Sequence, residues 1–212
     1  RADKQVWLPT ETPNGWLHWN GSSVRSNPQG LLMAPWTLEE IPIFVRPGTV
    51  IALRTMESTS ENFVDPVVWV AWPGPTDTNA VGVLFEDAGD GLDYMKWSGY
   101  HPSDSAHSNS AFTKASTSLH DNATTFSMTV FPTTGSYLGQ RRTRRHLLQL
   151  RCSLCSPSTV FVNDKRCPFI TQGAAGPGWF FANATADERD HFTQPPGTLI
   201  VVTGPMDIRK AV

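Results

Sequence analysis

The sequence has no run of about 18 apolar residues, so no segment is expected to cross a membrane as a helix. Charged residues make up only 17% of the chain, below the roughly one quarter that is usual in globular domains. The net charge is −2, which gives no strong field for nucleic acid or for an anionic membrane. The polar surface must therefore come from Ser, Thr, Asn and Gly, as in many secreted β-proteins.

Helical periodicity is also nearly absent, and the best helix candidate, residues 186–191, has one or two turns at most. Short apolar runs instead alternate with turn residues, among them 17 Pro and 16 Gly. This spacing predicts an all-β fold of two antiparallel β-sandwich sub-domains, and the missing crossover helices argue against a doubly wound sheet. The predicted strands are residues 5–8, 16–19, 31–34, 43–45, 50–53, 67–72, 82–85, 111–119, 124–130, 144–150, 159–162, 179–181 and 198–202.

A polar stretch at residues 55–62 carries no periodic apolar pattern and is interpreted as a linker or long loop. It divides the chain into residues 1–58, a first sandwich, and residues 59–212, a second one.

Only three cysteines are present, Cys152, Cys155 and Cys167. The first two have Cys-x-x-Cys spacing, but a zinc site needs about four ligands and no second motif of this kind follows. Buried or strand-edge thiols are favoured, and a disulfide to Cys167 stays open. No metal or cofactor is expected.

Three Asn-x-Ser/Thr sequons, at Asn20, Asn122 and Asn183, indicate a protein of the secretory pathway. The endoplasmic reticulum, a lysosome-like compartment and the extracellular space all fit. The first residues do not form a signal peptide, so we expect the chain to be a piece of something longer.

The basic run at residues 141–146 lacks interleaved aromatics and a wider basic face, which argues against nucleic acid. It leads into the apolar residues 147–150 and predicts a strand with a solvated, charged start. A processing site or a partner contact are the alternatives.

Candidate chemistry is concentrated in an acidic group, Glu86, Asp87, Asp90 and Asp93. A catalytic carboxylate pair, a Ca²⁺ site, sugar contact and a Gly-rich turn between strands are all compatible with such a group. Four acids within eight residues favour the turn, because catalytic pairs normally face each other from different elements. Trp16 and Trp19 are candidate sugar platforms, although tryptophan in the core is favoured. No nucleophile elbow, phosphate loop or metalloprotease motif occurs, and no catalytic residue is expected.

Several segments, in order along most of the chain, form a recognisable pattern. Residues 38–48 read Leu-Glu-Glu-Ile-Pro-Ile-Phe-Val-Arg-Pro-Gly, and residues 85–90 read Phe-Glu-Asp-Ala-Gly-Asp. Both resemble the C-terminal region of glycoside hydrolase family 31, the family of α-glucosidases and α-xylosidases. The further segments that carry the resemblance are residues 6–9, 15–21, 135–139 and 159–163.

The resemblance implies that catalysis takes place elsewhere, on a (β/α)₈ barrel with an Asp nucleophile and an Asp acid/base, with retention of configuration. Such a barrel needs about 250 residues and eight helices, which this chain does not offer. The resemblance therefore implies a non-catalytic accessory region that supports the missing barrel. It also implies that the first sandwich is truncated, because the family has apolar strand residues upstream of the segment that residues 6–9 resemble. We expect an apolar face of the first sandwich to be either exposed or covered by the second. A carbohydrate-binding module and a secreted β-sandwich interaction domain are the alternatives, with carbohydrate or another protein as partner.

Overall fold

The computed structural model describes residues 2–10, 15–24, 29–36, 41–54, 65–74, 81–88, 110–120, 125–151, 157–182 and 198–212. Every element of regular secondary structure in these ranges is a β-strand, which confirms the all-β prediction. No helix among them is long and apolar enough to span a membrane. The helix candidate at residues 186–191 lies outside the described ranges.

Eighteen strands follow one another along the described part of the chain. They are β1 (Ala2–Trp7), β2 (Trp16–His18), β3 (Ser23–Val24), β4 (Leu31–Trp36), β5 (Phe44–Val45), β6 (Val50–Arg54), β7 (Val67–Ala71), β8 (Val81–Asp87), β9 (Ser110–His120), β10 (Thr125–Val130), β11 (Thr134–Ser136), β12 (Thr143–Arg144), β13 (His146–Leu150), β14 (Val160–Val162), β15 (Lys165–Cys167), β16 (Gly178–Phe181), β17 (Leu199–Val202) and β18 (Met206–Asp207).

A five-stranded sheet in the order β16-β17-β13-β7-β6 organises the molecule. All of its pairs are antiparallel except β7 with β13, which run parallel with Val67 opposite His146. This pair departs from the purely antiparallel expectation. A parallel pair needs a long connection, and here the chain builds β8 to β12 before it returns.

Both faces of the five-stranded sheet are covered, which explains why β7 reads as an unbroken apolar run and is buried along its whole length. On one face, Trp69 and Val201 pack with Ala115 and Val130 of a second sheet, formed by β8, β9, β10 and β11. The two sheets approach closely at Gly82, where a Cβ atom would lie 2.6 Å from the carbonyl oxygen of Val50.

The opposite face carries Val68 and Val70, which pack with apolar side chains from the first part of the chain, notably Val45 and Trp19. The smaller sheet β3-β2-β5 is thereby held against the central sheet. Strand β6 precedes the boundary predicted between residues 58 and 59, yet it pairs with β7 beyond it. The two-unit division stays a prediction.

Candidate functional site

The acidic group begins at the end of β8. Glu86 points into the sandwich, and its Oε1 accepts a hydrogen bond from Arg144 Nη2 at 2.5 Å. The two side chains are 8% and 1% exposed. Glu86 is therefore held in a buried ion pair rather than presented to a ligand. Asp87 is half-buried beside it, and Asp90 and Asp93 lie outside the described residues.

Tyr137 completes this cluster. Burial, followed by the negative charge of Glu86, raises the pKa of Tyr137 to about 12, although Arg144 acts in the opposite direction and hydrogen-bonds to the tyrosine. The phenol thus stays protonated at neutral pH and is a hydrogen-bonding group, not a nucleophile. The charges of Glu86 and Arg144 neutralise each other, so the cluster suits a structural role.

The basic run was predicted to be solvated, and for two of its members this is wrong. Arg141, Arg142 and Arg145 are exposed, but Arg144 and His146 are buried. The reason is that strand geometry turns alternate side chains inward, and Glu86 and Trp69 provide partners for these two. The predicted strand at residues 144–150 is also divided at Arg145 into β12 and β13.

His146, the first residue of β13, is buried, and its Nδ1 accepts a hydrogen bond from Trp69 Nε1 at 3.2 Å. Burial, and then the positive charge of Arg144, lower the pKa of His146 to about 4, while Asp65 raises it by less. The imidazole is therefore neutral in the folded protein, with its proton on Nε2.

This shift predicts a loss of stability on acidification. The pKa of a His in the unfolded chain is about 6.5. Between about pH 6.5 and pH 4, His146 is therefore protonated in the unfolded chain but neutral in the folded protein. The contribution of neutral His146 to the free energy of unfolding is complete above about pH 6.5. It falls by roughly 2 to 3 kcal/mol as the pH is lowered from about 6.5 to about 4. Urea unfolding at several pH values measures it. The His146→Asn variant, which retains a hydrogen-bond acceptor, should show a smaller loss over this range, and an NMR titration midpoint of His146 near 6.5 would contradict the prediction.

Trp16 and Trp19, the candidate sugar platforms for which a core position was favoured, are half-buried and lie against cationic side chains. The guanidinium of Arg46 lies 5.4 Å from the ring centroid of Trp16, whose Nε1 donates to the carbonyl of Pro9 at 3.1 Å. The ring centroids of Trp19 and Trp72 lie 4.9 Å apart, and the guanidinium carbon of Arg151 lies 5.5 Å from the Trp19 ring centroid. Protein groups therefore contact both rings.

The burial of Arg151 was not predicted, because its neighbours in the sequence give no indication that this charged side chain is buried. It follows β13, and its Nη2 donates to Gln149 Oε1 at 3.1 Å. Burial lowers the pKa of Arg151 to about 10, so it remains charged at neutral pH. A buried cation over Trp19 ties the first part of the chain to the central sheet.

Of the three sequons, only the one at Asn20 lies within the described residues. Asn20 is exposed in the turn between β2 and β3, and its Oδ1 accepts hydrogen bonds from the backbone N–H and the hydroxyl of Ser22 at 2.9 and 2.7 Å. The amide nitrogen of an exposed turn residue is accessible to a glycosylating enzyme. Asn122 and Asn183 lie outside the described residues.

Cys167 is a free thiol on β15 and is buried in the core. Burial raises its pKa, which makes the reactive thiolate rarer. Cys167 has no disulfide partner among the described residues, and Cys152 and Cys155, between which and Cys167 the sequence left a disulfide open, lie outside them.

The fold and these sites define an all-β region in which Glu86, a described member of the acidic group, is held in a buried ion pair. No protein-family model and no curated protein matches the chain by sequence. Solved structures do match it: a family 31 glycoside hydrolase, the dextranase of Flavobacterium johnsoniae, has a TM-score of 0.72 at 19% identity when solved with isomaltotriose, and 0.72 at 18% when solved with glucose. An uncharacterised Listeria monocytogenes protein, solved with glucose, magnesium and calcium, has a TM-score of 0.59 at 12% identity.

Each match covers 100% of this chain but only 24% of the dextranase and 16% of the Listeria protein. The chain therefore has the fold of a minor part of a much longer enzyme. The predicted resemblance to part of a family 31 enzyme is confirmed at the level of the fold.

Proposed function

We propose that this chain is the non-catalytic C-terminal accessory region of a retaining family 31 α-glucosidase-like hydrolase, where it supports the (β/α)₈ barrel. The observation that carries the proposal is the fold match over 100% of this chain to 24% of a family 31 dextranase. The remaining length of such an enzyme accommodates the barrel, which needs about 250 residues.

The state of Glu86 supports a non-catalytic role. Retaining hydrolysis needs two carboxyl groups about 5 to 5.5 Å apart on either side of a sugar, one of them a free nucleophile. Glu86 is buried and bonded to Arg144, so a sugar cannot reach it without unfolding of the sheet edge.

Apolar side chains that the fold leaves exposed support contact with another part of the parent enzyme. Trp7 on β1 is 64% exposed, and Ile41 before β5 is 72% exposed. Both belong to the part of the chain that precedes the central sheet. A barrel packed against this part of the chain would remove the two side chains from water.

Activity assays test the non-catalytic role. The isolated chain is expected to show no turnover of a chromogenic α-glucoside or of dextran, because the proposed role places the catalytic carboxylates on the barrel and Glu86 is held in an ion pair with Arg144. Native protein captured with an antibody raised against this chain should have a mass far above 23.4 kDa. Turnover by the isolated chain, or a native mass of that size, would refute the proposal.

A paired variant in the parent protein tests the barrel contact. Trp7→Ser with Ile41→Ser should lower the thermal midpoint of the full-length enzyme while leaving the isolated chain little changed, because both side chains are already exposed there. The control is Phe161→Ser, at the exposed Phe161 of β14. If the paired variant and the Phe161→Ser control lower the thermal midpoint of the full-length enzyme equally, a barrel contact at Trp7 and Ile41 is ruled out.

The sequons support the further proposal that the protein resides in the secretory pathway, and Asn20 gives the test. Expression in a secreting eukaryotic host should yield a chain whose mass falls after treatment with a glycosidase that releases N-linked glycans. The Asn20→Gln variant should lose one glycan, because its turn is exposed. An unglycosylated Asn20 in the secreted protein would contradict this prediction.

A further inference from the structure

An apolar patch lies on the outer face of the sheet formed by β8, β9, β10 and β11. Leu84 of β8 packs against the core. Because successive side chains of a strand point to opposite faces, its neighbours Val83 and Phe85 point away from the core, and Val81 lies on their side. Val81, Val83 and Phe85 are 51%, 47% and 42% exposed. Contiguous apolar surface of this kind commonly marks a contact site.

Phe131 extends this patch across the sheet. Lys114 of β9 lies opposite Val83, and its carbonyl accepts a hydrogen bond from the backbone N–H of Phe131 at 2.8 Å. Phe131 follows Val130, which is part of the core, and is itself 42% exposed. Val83, Lys114 and Phe131 therefore lie in one row on the outer face. We refer to five residues as the outer patch: Val81, Val83, Phe85, Lys114 and Phe131.

The outer patch is apolar except for the cation at its centre. The side chain of Lys114 is exposed, and no described residue forms an ion pair with it. A partner that covers both Val83 and Phe131 also covers Lys114, which lies between them. Burial of an ammonium group without a counter-ion is costly, so a partner that fits this surface brings a carboxylate to Lys114.

The same charge argues against a second copy of this chain as the partner. Two identical faces that pack about a twofold axis bring each central residue close to its own copy. On the outer patch this would set two Lys114 ammonium groups against each other, and like charges at an interface are unfavourable. The surface that covers the patch therefore differs from the patch itself.

The length of the matched enzyme indicates where such a surface comes from. The matched region is only 24% of the dextranase, so most of an enzyme of that kind lies outside the present chain. We propose that the outer patch docks a surface of the parent enzyme outside this chain, on which apolar side chains surround an Asp or Glu carboxylate that pairs with Lys114. The inference rests on the proposed accessory role and adds a contact to the one proposed at Trp7 and Ile41.

Two chemical probes of the full-length enzyme test this contact. A carbodiimide joins an amine to a carboxylate where the two touch, so we expect a cross-link between Lys114 and an acid outside this chain. Acetylation by an N-hydroxysuccinimide ester should be about tenfold slower at Lys114 in the full-length enzyme than in the isolated chain, because a covered amine reacts only when the contact opens. The control is exposed Lys165 of β15, which should react equally in both. Equal acetylation of Lys114 in both, or its cross-linking only to acids of this chain, would overturn the proposal.

Variants separate the charge from the apolar contact. Lys114→Glu should lower the thermal midpoint of the full-length enzyme, because it sets two carboxylates against each other, and Lys114→Arg should preserve the midpoint. Lys165→Glu is the matched control for the charge reversal and should leave the midpoint unchanged. Val83→Thr keeps the shape and the strand propensity of the side chain but adds a hydroxyl. It should therefore lower the midpoint of the full-length enzyme and leave that of the isolated chain little changed.

The native mass separates this inference from the accessory role on which it rests. A native mass of 23.4 kDa would overturn both. A larger parent enzyme in which Lys114→Glu and Lys165→Glu have equal effects on the thermal midpoint would overturn the contact at the outer patch alone.

Discussion

Replacement of Glu86 by Ala is expected to lower the free energy of unfolding by about 3 to 5 kcal/mol. The side chain of Arg144 is 1% exposed, so removal of its carboxylate partner leaves a cation in the sandwich without its ion pair. Half-buried Tyr137 can still accept a hydrogen bond from it, but a neutral phenol does not balance a charge. Urea unfolding followed by tryptophan fluorescence measures the change.

The double variant Glu86→Leu with Arg144→Met is the control for this experiment. It removes both charges at similar volume, so its loss should be much smaller than that of Glu86→Ala. If Glu86→Ala lowers the free energy of unfolding by less than about 1 kcal/mol, which is the range measured for exposed ion pairs, the pair is solvated and the prediction is wrong.

Replacement of Trp69 by Ala is expected to lower the free energy of unfolding by about 3 to 5 kcal/mol. Trp69 is fully buried at the centre of the core between the two main sheets. The change leaves a cavity there and also removes the hydrogen bond to His146. Thermal or urea unfolding gives the value.

The matched control uses the exposed tryptophan on β1. Trp7→Ala should change stability by less than about 0.5 kcal/mol in the isolated chain, because Trp7 is mostly in solvent. The intermediate variant Trp69→Phe keeps ring volume but leaves His146 Nδ1 without its donor, at a cost of about 1 to 3 kcal/mol. A loss in Trp69→Ala no larger than that in Trp7→Ala would contradict the assignment of the core.

The strands with apolar patterns could be predicted, and several short polar ones could not. Residues 67–72 were expected to form a strand, and β7 spans Val67–Ala71. The apolar strands β2, β5 and β14 were predicted although they have only two or three residues, whereas β3, β11, β15 and β18, which are equally short, have no apolar run to mark them. The sequence held one signal for β15, the pair Asn163-Asp164, because Asn and Asp favour the turns of two-residue hairpins. In the structure both residues have the positive φ that such turns need, 50° and 61°.

The site was harder to predict than the fold because it depends on contacts between distant parts of the chain. Glu86 was one of four acids named as candidates, but its partner Arg144 lies 58 residues away and looked like a member of a solvated run. Trp69 and His146 likewise meet only after β7 and β13 have paired. Local periodicity indicates which way a side chain faces, whereas its partner depends on topology.

The parallel pairing of β7 with β13 has a consequence for how the chain is made. About 80 residues separate the two strands, and a ribosome adds roughly 5 to 20 residues per second, so β7 waits roughly 4 to 16 s for its neighbour. During that time the apolar edge of β7 is open to any other extended chain. Newly synthesised protein is therefore most vulnerable to aggregation before residue 150 emerges, and slower translation would lengthen the exposure.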